Sequence, residues 1–78
     1  RDHAYPVPSN GLVYIPLPSG ESYDYYIYNS MGKLCDQGSI ANSSGQYSVD
    51  LSQHTDGMYF IHLHDRSGTR YQVKVLKQ

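Results

Sequence analysis

The chain has 78 residues, a formal net charge of −1 and one cysteine. It is therefore one domain at most, lacks the clustered basic surface a nucleic acid needs, and can form no internal disulfide. A chain this short buries only about 60–65% of the surface its unfolded form exposes, so docking on a neighbour, self-association or a tight small core must make up the difference.

The opening stretch "YPVPSNG" holds Pro6 and Pro8, each lacking a ladder donor. It fits an edge strand bending into a turn closed by Asn10 and Gly11. "LVYIPL" follows as a strand with Val13 and Ile15 on one face and Leu12 and Tyr14 on the other, weakened at its end by Pro16. "PSGES" is a loop. "YDYYIYN" alternates again: Tyr23, Tyr25 and Ile27 share one face, Asp24, Tyr26 and Tyr28 the other. Asn29-Ser30-Met31-Gly32 reads as a tight turn with Gly32 at positive φ. "KLCDQ" leaves it as the hairpin partner, with Gly38 as a candidate bulge.

"ANSSGQ" has loop composition. "YSVDL" places Tyr47, Val49 and Leu51 inward. "SQHTDG" has room for one helical turn at most, with Ser52 as its N-cap. Two closing strands follow, joined by Arg66-Ser67-Gly68. Tyr59, Ile61 and Leu63 share a face in the first; Tyr71, Val73 and Val75 do so in the second. A buried face fixes register, because a one-residue slip turns the whole set outward. Six or seven short strands and no helix-period segment make the chain all-β, a sandwich or small barrel.

Little in this pattern supports chemistry. His62 and His64 share a strand face, with His54 or Asp65 as a possible third ligand, but a structural zinc site wants four ligands at recognisable spacing. No metal, cofactor or catalytic residue is expected. Cys35 reads as a small buried apolar residue, since a reactive thiol needs a neighbouring cation or helix N-terminus. No serine sits on a strand–elbow–helix turn, and the glycines stand singly rather than in a phosphate loop. The nine tyrosines offer one binding alternative: Tyr14, Tyr26 and Tyr28 as an exposed row for sugars, in a carbohydrate-binding or adhesive module of a larger surface protein.

Four of these stretches, taken in order, resemble one family. "YPVPSNG" is similar to its opening Tyr-Pro-Asn-Pro-x-x-Gly, with Val7 where Asn is usual. "YIYNSMGKLC" resembles its hairpin ending in Gly32-Lys33. "VDLS…DGMYFIHL" resembles its short strand, loop and Gly57-x-Tyr59. "YQVKVLK" resembles its last strand. The family is the C-terminal sorting domain of type IX secretion cargo in Bacteroidetes-type Gram-negative bacteria. The resemblance implies an Ig-like β-sandwich of about seven antiparallel strands with little or no helix. The structural motif residues it points to are Pro6, Pro8, Gly11, Gly32, Lys33, Gly57 and Tyr59.

It also implies a transport address rather than an enzyme. The cargo domain ahead of it would cross the inner membrane by its own signal peptide. An outer-membrane translocon would then read residues 1–78, and sortase-type machinery would act at the cell surface. Recognition is expected at Lys74, Val75, Leu76 and Lys77, on a last strand lying at a sheet edge. Partners are thus the cargo and that machinery, with a second copy as a further option and with no nucleic acid and no membrane insertion, since no run nears the roughly 20 apolar residues of a spanning helix. Arg1 in place of methionine suggests a fragment of a longer secreted protein.

Overall fold

The computed structural model describes residues 11–18, 20–42 and 46–78, those at 42, 46 and 47 by backbone only. Six strands are found there: β1 Leu12–Pro16, β2 Glu21–Asn29, β3 Leu34–Asn42, β4 Gln46–Asp50, β5 Gly57–Asp65 and β6 Arg70–Lys77. The edge strand expected around Pro6 and Pro8, which would make a seventh, lies outside the described residues. β1 and β4 pair antiparallel as one sheet; the other runs β3-β2-β5-β6, antiparallel throughout.

The two sheets bury one shared core. Val13 and Ile15 of β1 and Val49 of β4, with Leu17 and Leu51 beside them, meet Tyr23 and Ile27 of β2, Tyr59, Ile61 and Leu63 of β5, and Val73 and Val75 of β6. Nearly all sit at alternate positions, because successive side chains on a strand point to opposite faces. Tyr25, Cys35, Ile40 and Tyr71 are half-buried around that core. Tyr23 is fully buried with its ring edge-on to Tyr71 at 6.0 Å. Burial first, then Tyr71, pushes its phenol pKa up, so it stays neutral.

Both hairpins of the larger sheet close with the same turn. In the first, the Asn29 side-chain oxygen accepts from the N–H groups of Met31 (2.9 Å) and Lys33 (3.0 Å). In the second, Asp65 Oδ1 accepts from those of Ser67 (3.0 Å) and Thr69 (2.8 Å). Three residues after each acceptor stands a glycine at positive φ, Gly32 at 82° and Gly68 at 96°. The side chain holds the turn open-ended at the front, and glycine reverses the chain at the back. Burial alone would raise the Asp65 carboxyl, but hydrogen bonds from Ser67, Thr69 and Gly68 outweigh it and hold the group below its ordinary value. Asn29→Ala removes both bonds of the first turn and is expected to cost about 1 kcal/mol, read from urea denaturation. Asn29→Asp should keep most of that stability. Equal losses in the two variants would show that the side-chain oxygen does not hold the turn.

Three expectations are corrected. Gly38 is not at a bulge: the register slips between Ile27, opposite Asp36, and Tyr28, opposite Leu34, leaving Cys35 as the extra residue. Gly38 instead lies opposite Tyr25, where an added Cβ would stand 2.8 Å from the Tyr25 hydroxyl. A bare backbone makes room for that ring. β3 also continues through Ala41 and Asn42, into the stretch assigned to a loop, because β2 is long enough to pair it to Glu21. Finally, Ser52 caps no helix: the stretch 52–56 holds a single hydrogen-bonded turn, within the one turn allowed for it. His54 N–H reaches the Leu51 carbonyl at 2.9 Å, and Ser52 donates its N–H to Asp50 Oδ1 at 2.9 Å rather than capping a helix. Hydrogen bonds from Ser52, its side chain first and its N–H second, hold the Asp50 carboxyl below its ordinary value.

Candidate functional site

The last strand is ordered and lies at the edge of the larger sheet, with β5 as its one neighbour among the described residues. Its pairing runs from His64–Arg70 to Gly57–Lys77 without a register shift. The Asp65 N–H donates to the Thr69 carbonyl at 3.0 Å, making that a hydrogen-bonded pair. Such pairs alternate along an antiparallel ladder. Tyr71, Val73, Val75 and Lys77 therefore spend their backbone groups on β5. The N–H and C=O groups of Arg70, Gln72, Lys74 and Leu76 point the other way, along the open edge.

The expected recognition residues divide along the same alternation. Lys74 and Leu76 are exposed on the outer face, whereas Val75 is buried in the core at 1% exposure. Lys77 is on the core-facing row. Its side chain is only 13% exposed, and its Nζ pairs with Asp56 Oδ1 at 3.1 Å. The alkyl stem covers the end of the core while the ammonium reaches the loop before β5. The expected recognition role put Lys74 and Lys77 in one group; an odd separation on a strand places them on opposite faces.

The motif residues are placed as follows. Gly11 is buried at the mouth of the smaller sheet with φ 88°, and its carbonyl accepts from Leu51 N–H at 2.7 Å. Gly32 and Lys33 form the first turn. Gly57 opens β5 at φ 148°. Two residues on, Tyr59 is buried, with its hydroxyl donating to the Thr55 carbonyl at 2.6 Å. A buried phenol needs that partner, and the bond pins the loop 52–56 to the core. Pro6 and Pro8 lie outside the described residues.

The outer face of the larger sheet is aromatic. Tyr26 packs on His64 and Tyr28 on His62, each with ring centroids 5.1 Å apart. Tyr14 is 54% exposed, but on β1, in the other sheet. The structure therefore does not bring Tyr14, Tyr26 and Tyr28 into one flat row. His54 packs against the core residue Tyr59, and Asp65 is bound into its turn, so neither is delivered to His62 and His64. Among the described residues no three His, Cys, Asp or Glu side chains converge on a metal position. Cys35 Sγ donates to the Lys33 carbonyl at 3.5 Å. An open depression of about 410 Å³ at the Arg66 end contains Asp24 and Asp65. Asp24 already accepts from Ser39 Oγ at 2.6 Å.

Burial first, and His64 second, holds the His62 imidazole below its ordinary value of 6.5. The unfolded chain then takes up this proton more readily than the folded one. Stability from this group is complete above about pH 6.5, the unfolded value, and is lost as pH falls from there through the folded value. His62→Gln is expected to flatten the loss of urea stability between about pH 7.5 and 5.5, whatever its effect on the absolute value. An unaltered slope would contradict this assignment.

A family model described as the secretion system C-terminal sorting domain matches residues 3–78. No curated protein matches the chain.

Proposed function

We propose, from the premise that this chain belongs to the family of secretion system C-terminal sorting domains, that it is the type IX export address of a larger cargo. In this reading the domain is a non-catalytic, Ig-like sandwich read as a folded object by the outer-membrane translocon. It would carry the polypeptide ahead of it from the periplasm to the cell surface of a Gram-negative bacterium, where sortase-type machinery receives it.

The observation that supports this most is the state of β6. A paired, unshifted edge strand offers a receptor a fixed shape and a row of unspent backbone groups. Lys74 and Leu76 would be the contact residues of the expected set. Val75 and Lys77 would act by holding the strand, through the core and through Asp56.

The test is a fusion of residues 1–78 to an inert reporter carrying a periplasmic signal peptide, expressed in a bacterium with a type IX system. The reporter is expected outside the cell, and in the periplasm when the translocon is deleted. A folded fusion that remains periplasmic in the intact strain would overturn the proposal.

A further inference from the structure

We infer that the open edge of β6 is a strand-addition site whose ligand is an extended peptide alternating apolar and acidic residues. The inference deepens the sorting proposal and rests on it only for the donor, a segment of the export machinery. The site itself rests on geometry. Arg70, Gln72, Lys74 and Leu76 present their N–H and C=O groups at every second position, the repeat an incoming strand needs. No proline or bulge interrupts the run.

The opposite edge of the same sheet is unlike it. β3 is broken by the extra residue Cys35 and carries Asp36, and bulges discourage strand addition. Among the described residues β6 is guarded by charge alone. Arg70 and Lys74 are exposed, and among the described residues neither is ion-paired. Lys77 is occupied by Asp56, so the free positive charge at this edge is that of Arg70 and Lys74. Such a row repels another basic edge and selects an acidic strand. The added strand's second face would lie beside Tyr71, Val73 and Val75, on the core side, which calls for apolar residues there.

Amide-resolved NMR of the 78-residue chain tests this with a capped peptide of about six residues alternating Val and Glu, the usual strand length. Its binding is expected to slow hydrogen exchange at Arg70, Gln72, Lys74 and Leu76. A Val and Lys peptide should bind roughly tenfold more weakly or worse. Lys74→Pro removes an edge donor without touching the bonds to β5, so it should abolish binding while Tyr71, Val73 and Val75 stay protected. Should that variant fail to fold, the pair Arg70→Glu and Lys74→Glu should reverse the peptide preference. No binding of the Val and Glu peptide, equal affinity for both peptides, or exchange effects confined to other strands would overturn the inference. Export separates the two proposals. A folded Lys74→Pro fusion exported as well as the parent defeats strand addition and leaves the sorting reading standing. A parent fusion that is not exported defeats the sorting reading itself.

Discussion

Gly11→Ala is expected to be among the most destabilising single-methyl additions in this domain. Gly11 stands at φ 88°, and a Cβ there would come within 2.6 Å of Ser52 N and 2.7 Å of Ser52 Cα. Both are backbone atoms, so no side-chain rotation relieves the contact. The left-handed backbone costs an alanine about 1–2 kcal/mol, and displacing packed backbone typically costs about 1–3 kcal/mol more. The sum, roughly 2–5 kcal/mol, is a large part of the about 4–12 kcal/mol a chain this size holds. The control is Gly32→Ala. Gly32 has a matching φ of 82° but nothing within 4 Å of its added Cβ, so it should lose only the backbone part. Urea denaturation of the two variants measures the difference. Equal losses would show that the approach of Ser52 is not a real constraint, and that Gly11 is held by φ alone.

Removing residues 73–78 should have the largest effect on export. The deletion takes two buried valines, Val73 and Val75, worth about 1.5–3 kcal/mol each for burial. It also takes the Lys77–Asp56 tie and strips β5 of its partner from Gly57 to Ile61. A loss of this size rivals the total stability, so the truncated domain is expected to become protease-sensitive and its cargo to stay in the periplasm. Surface appearance of a truncated fusion would overturn the claim that a folded tail is read. Because this variant loses fold and edge together, Leu76→Glu is the sharper companion. Leu76 is exposed on the outer face, so the variant should keep its melting behaviour while export falls.

Those two experiments also separate what was legible from what was not. The alternation in "LVYIP", "GMYFIHL" and "YQVKV" grouped Val13 with Ile15, Tyr59 with Ile61 and Leu63, and Val73 with Val75 on single faces, since a strand's two-residue period needs no partner to read; the packing of the two sheets turned those faces inward. Glycine in a turn was equally readable at Gly32. The repeated turn was present in the letters too, as Asn29 and Asp65 each three residues ahead of a glycine, but it shows only when the two hairpins are compared side by side. The bulge at Cys35 had no local signal: Gly38 is the conspicuous residue there, and its role depends on a ring from β2.

The amino-acid order alone determined that this is an all-β domain, which residues share a strand face, and which family it belongs to. All three follow from local periodicity and short motifs. Only the tertiary structure decided that β2 pairs with β5, that β6 is an edge, that Lys77 turns to Asp56 while Lys74 faces solvent, and that Gly11 meets Ser52. Each of those joins segments far apart in the chain. Their energy lies in packing and pairing across loops, and no window of sequence contains both partners.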